Sequence, residues 1–391
     1  MDVRPIFEWL VAGVPGATTS PETVDRLCRD LNAAGLPIAR AEAFVRTLHP
    51  HIAGRSFVWR PDAPVDVREM TYAFLQSPEF AAGPVAAVFR SGDYVRRRVG
   101  EAAPVEEHAY LQTLADEGLT DFLAAPLTFL SGQVHAITFA TRKPGGFVPA
   151  DIEALRTLVP PLSRIAEIRA LARTAVNLLN TYVGRNAGER IMAGQIQRGE
   201  VDALRAVIWF SDLRGFTSIS GTLEPGAVIA MLNDLFECQV AAIERHGGEV
   251  LKFIGDGLLA IFPISEGAQN APAQCEAALL AADEAFGALA TLNARRAAAS
   301  SPPLRFGLAL HVGEVAYGNI GGAGRLDFTC IGPAVNLAAR LEGLTSKLER
   351  SLVVSAEFAR VSQRSYLSLG PFDLKGVGGS QEVFAPEPTA S

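Results

Sequence analysis

Cysteine is scarce: Cys28, Cys238, Cys275 and Cys330 are the only four, and no two stand in a CxxC spacing. A disulfide scaffold and a zinc ribbon are thereby excluded, and structural free thiols in a reducing compartment are expected. An excess of positive charge is also missing. Lys and Arg total 35 against 42 Asp and Glu, a formal net charge of −7, which argues against a general nucleic-acid binder. The one basic cluster, Arg96-Arg97-Arg98, reads as a solvated strand or loop face. Long apolar runs are absent as well. The longest stretch free of Asp, Glu, Lys and Arg, Phe122–Thr141, holds Pro126, Ser131, Gly132, Gln133 and His135, which suits a hairpin better than a membrane span. Asp2 and Glu8 make the N-terminus a poor signal peptide, so a soluble cytoplasmic protein is expected. Histidine is sparse too. His49-Pro-His51 has no partner cluster for a metal, and His108 and His135 read as structural.

What is present is an ordinary globular composition, 49% apolar and 20% charged, in a chain long enough for two cores. The first part mixes elements. Pro21–Leu31, Ala39–Leu48 and residues 105–118 read as helices. Ser56–Arg60, Pro84–Arg90, DFLAAPLTF and QVHAITFAT read as strands, and Pro149 opens another helix. An N-terminal α/β domain is expected over 1–160. Residues 161–199 read as a linker: a helix to about Val183, then a glycine-rich, charged hinge. Ile165, Ile168, Ala172, Ala175 and Leu179 recur at alternating three and four spacings, a seam suited to a parallel partner helix.

From Leu204 the pattern sharpens. LRAVIWF is a strand, and Pro225–Arg245 is a helix with Val228, Met231, Leu232, Leu235 and Phe236 on one face. EVLKFI and LLAIF form a hairpin, residues 272–296 form an alanine-rich helix, and LRFGLALHV is the next strand. The order β-α-β-β-α-β predicts an α+β, ferredoxin-like domain.

Charges interrupt this apolar frame at telling places. Lys252 and Asp256 stand four residues apart in EVLKFIGDGLLAIF, and neither serves packing, because an unpaired buried charge is costly. Asp212, in WFSDLRGFTSIS, falls where the first strand leaves the sheet. With that strand expected beside the one preceding the hairpin turn, Asp212 and Asp256 lie together at one sheet edge. Two such carboxylates repel unless a proton or a hard cation such as Mg²⁺ or Mn²⁺ intervenes. Gly215 and the amides of the turn after it could cradle a phosphate. Further on, Asn336 and Arg340 share one face of a helix that Pro333 opens, and Arg340 carries the planar fork suited to phosphate.

FSDLRGFT, LKFIGDG, FTCIGPAVNLAARLEG and LKGV, in this order and spacing, resemble the catalytic domain of class III nucleotidyl cyclases over residues 200–388. The resemblance implies that Asp212 and Asp256, with the main-chain carbonyl of Leu213, bind two Mg²⁺ ions, with Mn²⁺ as a substitute. It implies that Gly215, Phe216 and Thr217 line the phosphates and that Lys375 grips the terminal ones. Lys252 and Thr329 fall at the base-recognising positions, Asn336 at the ribose-orienting one, and Arg340 where transition-state charge is stabilised. Lysine donates to adenine N1 and a threonine hydroxyl accepts from the adenine amino group, so ATP is the expected substrate and cyclic AMP the product. Many members have aspartate where this chain has Thr329, and a hydroxyl can also donate, so guanylate or mixed specificity stays open. A nucleotide-binding module without turnover is the remaining alternative. In this family the active site forms between two catalytic domains, which implies a homodimer. The first 160 residues resemble a GAF-like sensor domain, with a small-molecule ligand and regulation through the linker implied.

Overall fold

The computed structural model describes residues 1–50, 52–100, 108–265, 270–322 and 324–387. The chain divides into two compact units, Met1–Leu178 and Leu179–Ser391.

The first unit begins with α1 (Arg4–Val11) and α2 (Ser20–Ala33), the latter opened by a Thr19/Glu22 capping box. Then come β1 (Arg40–Arg46), β2 (Ile52–Arg60) and β3 (Ala63–Thr71), the short α3 (Tyr72–Leu75) and α4 (Pro78–Ala82), and α5 (Pro84–Ser91). β4 (Val95–Arg98), α6 (His108–Asp116), β5 (Asp121–Thr128), β6 (Val134–Thr141) and the long α7 (Pro149–Val183) complete it. The six strands form one antiparallel sheet in the order β3-β2-β1-β6-β5-β4. One face is covered by α1, α2 and the start of α7 around Trp9, Leu31, Trp59, Phe139 and Leu155. The other carries a core of Phe44, Met70, Val88, Leu114 and Phe122.

Two expectations are corrected here. Ala39–Leu48, expected as a helix, contains β1. This central strand is buried on both faces, and its alanine and glutamate, good helix formers, are overridden by pairing with β2 and β6. Pro84–Arg90, expected as a strand, is α5: Pro84 occupies its first turn, and Gly92, left-handed at φ 71°, ends it. The arginine cluster is strand β4, but Arg96 is no mere solvated residue. It bonds the buried Asp121 carboxylate and the Phe147 carbonyl. His51 of the His-Pro-His pair lies outside the described residues, as does the start of the helix expected from residue 105. His135 is buried, its Nδ1 accepting from the Arg46 amide, which suits its structural reading. The expected boundary at residue 160 falls inside α7, whose Leu162 and Ile165 still belong to the first core. Along the expected seam Ile168, Ala172 and Ala175 are exposed.

In the second unit Arg185–Met192 form α8, where the sequence suggests a hinge. Its Ala187 is fully buried, and Asn186 Nδ2 donates to Glu249 Oε2 at 2.9 Å. Next come β7 (Val201–Leu213), α9 (Phe216–Ser220), α10 (Pro225–Arg245), β8 (Glu249–Ile254), β9 (Gly257–Ile264) and α11 (Ala271–Ala298). β10 (Phe306–Gly322), β11 (Arg325–Ile331), α12 (Pro333–Lys347), β12 (Leu352–Ser355), α13 (Ala356–Val361), β13 (Tyr366–Asp373) and β14 (Ser380–Pro386) follow. The sheet runs β13-β14-β12-β10-β7-β9-β8, with β11 paired to the far end of β10. The β-α-β-β-α-β order is thus observed, extended by four further strands. The helices α10 and α11 bury Met231, Leu235, Cys275, Leu279 and Ala282 against Trp209, Phe262 and Leu310, while α12 covers the opposite face. Among the described residues α10 alone is long and apolar enough to cross a membrane by length and composition. Its Met231, Leu235, Ala242 and Ile243 belong to this core.

One pairing differs from expectation. The first strand, β7, pairs with β9, the strand after the hairpin turn, and β8 is the sheet edge. A hairpin whose second strand pairs inward leaves its first strand outermost, so Asp212 meets Asp256 through the register Asp212↔Gly257.

Candidate active site

Asp212 is the penultimate residue of β7, and Asp256 sits in the two-residue turn between β8 and β9. Gly255, at φ 64°, takes the left-handed conformation that this tight turn needs. Gly257 lets the strands close: a Cβ there would meet the Ser211 carbonyl at 2.9 Å and Asp212 Oδ1 at 3.1 Å. The two carboxyl groups come together at the strand ends. Asp212 is pushed up to about 6, first by desolvation and then by the neighbouring Asp256 carboxylate, against a lowering from the Leu213 amide. Leu213 itself is buried at the end of the strand.

A third carboxyl group, which the sequence reading missed, faces the pair. Glu342 on α12 is pushed up to about 7, by desolvation first and by Asp212 and Asp256 further, while Thr345 and Arg214 pull the other way. Its Oε1 lies over Gly307, the β10 residue paired with Asp212, where a Cβ would come within 2.3 Å of it. The available signal was its place on the apolar stripe Ala338-Leu341-Thr345 of α12, where a carboxylate is out of character. Among the described residues, no three His, Cys, Asp or Glu side chains gather at metal-ligand spacing.

After Asp212 the chain turns through Gly215, left-handed at φ 75°, into α9, so the amides of Phe216 and Thr217 open its first turn. Asn336 and Arg340 are both exposed on α12, and neither side chain has a hydrogen bond or ion pair among the described residues. Lys375 is exposed in the turn between β13 and β14. Its neighbour Leu374 packs in the cluster that holds Leu341 and Leu344 of α12.

A second group lies on the strands β8 and β11. Lys252 Nζ donates to Asp327 Oδ2 at 2.7 Å. Two residues on, Thr329 is buried with its hydroxyl unpartnered among the described residues. Around them Phe253 and Ile254 on β8, and Leu326 and Ile331 on β11, are exposed.

Residues 202–385 match the family described as adenylate and guanylate cyclase catalytic domain. An adenylate cyclase of Anabaena cylindrica is 34% identical over 169 residues, 42% of this chain and 32% of that protein. Adenylate cyclase 1 of Rhizobium meliloti is 28% identical over 202 residues, 49% of this chain and 30% of the relative. The chain thus spans about a third of the length of the curated relatives it matches. Among solved structures, the adenylyl cyclase CyaB of P. aeruginosa is similar with 26% identity and a TM-score of 0.45, over 49% of this chain and 97% of that one. The guanylyl cyclase Cya2 is similar with 28% identity and a TM-score of 0.41, over 47% and 92%. The family match begins one residue into β7 and ends one residue before the close of β14, so it spans the whole sheet that carries Asp212, Asp256, Lys252 and Thr329. Residues 202–385 are a class III adenylate and guanylate cyclase catalytic domain.

Proposed function

We propose that the chain is an adenylate cyclase, converting ATP to 3′,5′-cyclic AMP and pyrophosphate in active sites shared across a homodimer. The observation that carries the reading is the Asp212–Asp256 carboxyl pair, brought together at the strand ends by the register Asp212↔Gly257. Two carboxyl groups forced together in a half-buried place fit a site for divalent cations, which would relieve their repulsion. Held by Asp212, Asp256 and the Leu213 carbonyl, two Mg²⁺ ions would supply Lewis-acid chemistry, acidifying the ribose 3′-hydroxyl and neutralising phosphate charge.

The side chains account for the remainder of the reaction. The 3′-oxygen forms a bond to the α-phosphorus as the bond from that phosphorus to the bridging oxygen breaks, releasing pyrophosphate and a proton. Arg340 takes up charge that develops on the phosphoryl oxygens, Asn336 orients the ribose, and Lys375 with the Gly215–Thr217 turn holds the leaving phosphates. Lys252 donates to adenine N1. The Thr329 hydroxyl, buried and without a partner, accepts from the adenine amino group and so gains the bond it lacks. Because it can also donate, mixed use of GTP is the second reading.

The exposed Phe253, Ile254, Leu326 and Ile331 beside the base-recognising pair support covering by a second copy. Lys252 then serves one site and Asp256 the other. The first unit is read as a GAF-like sensor that acts through α7 in the cytosol, where four free thiols are at home.

The test is cyclic-nucleotide formation by the full chain with ATP or GTP and Mg²⁺ or Mn²⁺. Cyclic AMP from ATP that disappears in Asp256→Ala is the expected result. Product independent of Asp256 would overturn the reading, and nucleotide binding without product would favour a non-catalytic module.

A further inference from the structure

One end of the second unit carries charge that the reaction as described leaves unused. Three segments meet beside Asp212: residues 213–223, 293–307 and 343–351. They hold six cations, Arg214, Arg295, Arg296, Arg305, Lys347 and Arg350, and a single acid, Glu349, in a chain whose net charge is −7. Hydrogen bonds tie them into one surface. The Arg214 amide donates to the Arg305 carbonyl at 2.8 Å, and its guanidinium donates to the Arg350 carbonyl. Arg296 Nε donates to the Pro302 carbonyl at 2.9 Å. Arg295, Arg305, Lys347 and Arg350 are exposed, and none of the six has an ion pair among the described residues. Other arginines of this unit are paired: Arg190 with Asp202, Arg205 with Glu357 and Arg364 with Glu276. Arg295 lies near Cys238, Asp234 and Glu237 of α10, which leaves the other five cations to set the local field against Glu349.

Clustered like charges repel, so such a surface costs stability unless an anion uses it. Behind it lie the carboxyl groups of Asp212, Asp256 and Glu342, which offset part of the charge. Divalent cations at the aspartate pair would cancel that offset and leave this end strongly positive. The surface continues directly from Arg214 into the turn of Gly215, Phe216 and Thr217. A nucleoside triphosphate, which concentrates its negative charge at one end, is the kind of ligand that such a field attracts. Attraction of this kind acts over about 30 Å at 0.01 M salt and is screened within about 3 Å at 1 M.

We propose that this basic surface gathers the triphosphate end of the nucleotide and delivers it to the Gly215–Thr217 turn, so that long-range attraction lowers the KM. The inference rests on the adenylate cyclase reading.

The experiment compares the full-length wild type with a triple variant, Arg305→Gln, Lys347→Gln and Arg350→Gln. A control of equal net charge carries Arg46→Gln, Arg173→Gln and Arg198→Gln, at three exposed cations on other segments. Turnover of ATP with Mn²⁺ is followed from about 0.01 to about 1 M KCl, and folding by thermal melting. At the lowest salt the surface variant is expected to raise the KM about tenfold with kcat within about twofold, and at the highest its KM meets that of the wild type. The control stays within about twofold throughout, and melting temperatures stay within about 2 °C. Each single substitution contributes part of the rise, so the test does not depend on the folding of the triple variant. Equal losses in both triple variants would reduce the effect to net charge and overturn the proposal. So would an unchanged KM, a deficit that persists at the highest salt, or a loss confined to kcat. Should the wild type form no cyclic nucleotide, the cyclase reading fails by itself. Calorimetry of the same proteins with ATP and Mn²⁺ then decides: a salt-dependent loss of affinity in the surface variant alone supports the gathering role, and equal or undetectable binding refutes it.

Discussion

At the scale of single residues the site is a balance of like charges. Asp212, at about 6, and Glu342, at about 7, both titrate above the ordinary carboxylate range. A raised folded pKa means that the native state holds more protons than the unfolded chain between about pH 4 and 7. Stability of the metal-free protein therefore falls as pH rises through that window. Glu342→Gln removes one of these charges at nearly constant shape. At pH 8 it is expected to stabilise by about 1 kcal/mol, allowing for its partial exposure, or about 2–4 °C in Tm, and to flatten the pH dependence of melting. A lower Tm in the variant would show that the carboxylate makes a favourable contact instead. On the proposed reading, divalent cations would compete with a proton for Asp212. Titration of Mn²⁺ binding is expected to show affinity rising about tenfold per pH unit below 6 and levelling above. A flat profile from pH 5 to 7 would contradict binding at this pair.

At the scale of elements, the hairpin of β8 and β9 and the helix α12 do the positioning. Gly257 allows the hairpin to approach β7 closely enough for the aspartates to meet. Gly257→Ala pushes a methyl group against the Ser211 carbonyl and Asp212, which is expected to destabilise by about 1–3 kcal/mol. It should also weaken Mn²⁺ binding at least tenfold although both ligands remain. Calorimetry and melting on one sample separate the two effects, and unaltered metal affinity would show that the approach is not critical. The helix α12 works on two sides. It presents Asn336 and Arg340 outward while Glu342, on the other face, lies over the strand that pairs with Asp212. Further along the sheet, α8 is tied to the start of β8 by hydrogen bonds to the buried Glu249. The Tyr317 hydroxyl donates to Glu249 at 2.9 Å, and Asn186 donates to the same carboxylate. Glu249→Ala would leave both donors without their acceptor, and a loss of about 2–3 kcal/mol is expected in chemical unfolding.

At the scale of the whole molecule, the proposed sharing of the active site across a homodimer makes a quantitative prediction. Asp256→Ala lacks one half of each site and Arg340→Ala lacks the other. Each homodimer is therefore expected to be inactive. Mixed subunits that exchange freely put half of the dimers into the heterodimer, with one complete site of two, so about a quarter of wild-type activity returns. No recovery on mixing, with heterodimers demonstrated by tagged pull-down, would place both residues in the same subunit's site.

The amino-acid order alone determined the outline of the second unit. Its helices and strands alternate with clear periods, its turns carry glycine and proline, and Asp212, Asp256, Asn336 and Arg340 stand out as charges or amides where an apolar pattern has no use for them. Local periodicity can do this because an element's apolar face is written in its own residues. In the first unit it failed for β1 and α5, where burial on both faces removed the alternation and alanine suited either state. Only the tertiary structure decided that β7 pairs with β9. The same holds for the Glu342 carboxyl at Gly307 and the Asp327 carboxylate on Lys252, residues 35 and 75 positions apart in the chain. Such pairings depend on which strand edges meet and which helix face lands on them, and that information is shared among segments rather than held by any one of them.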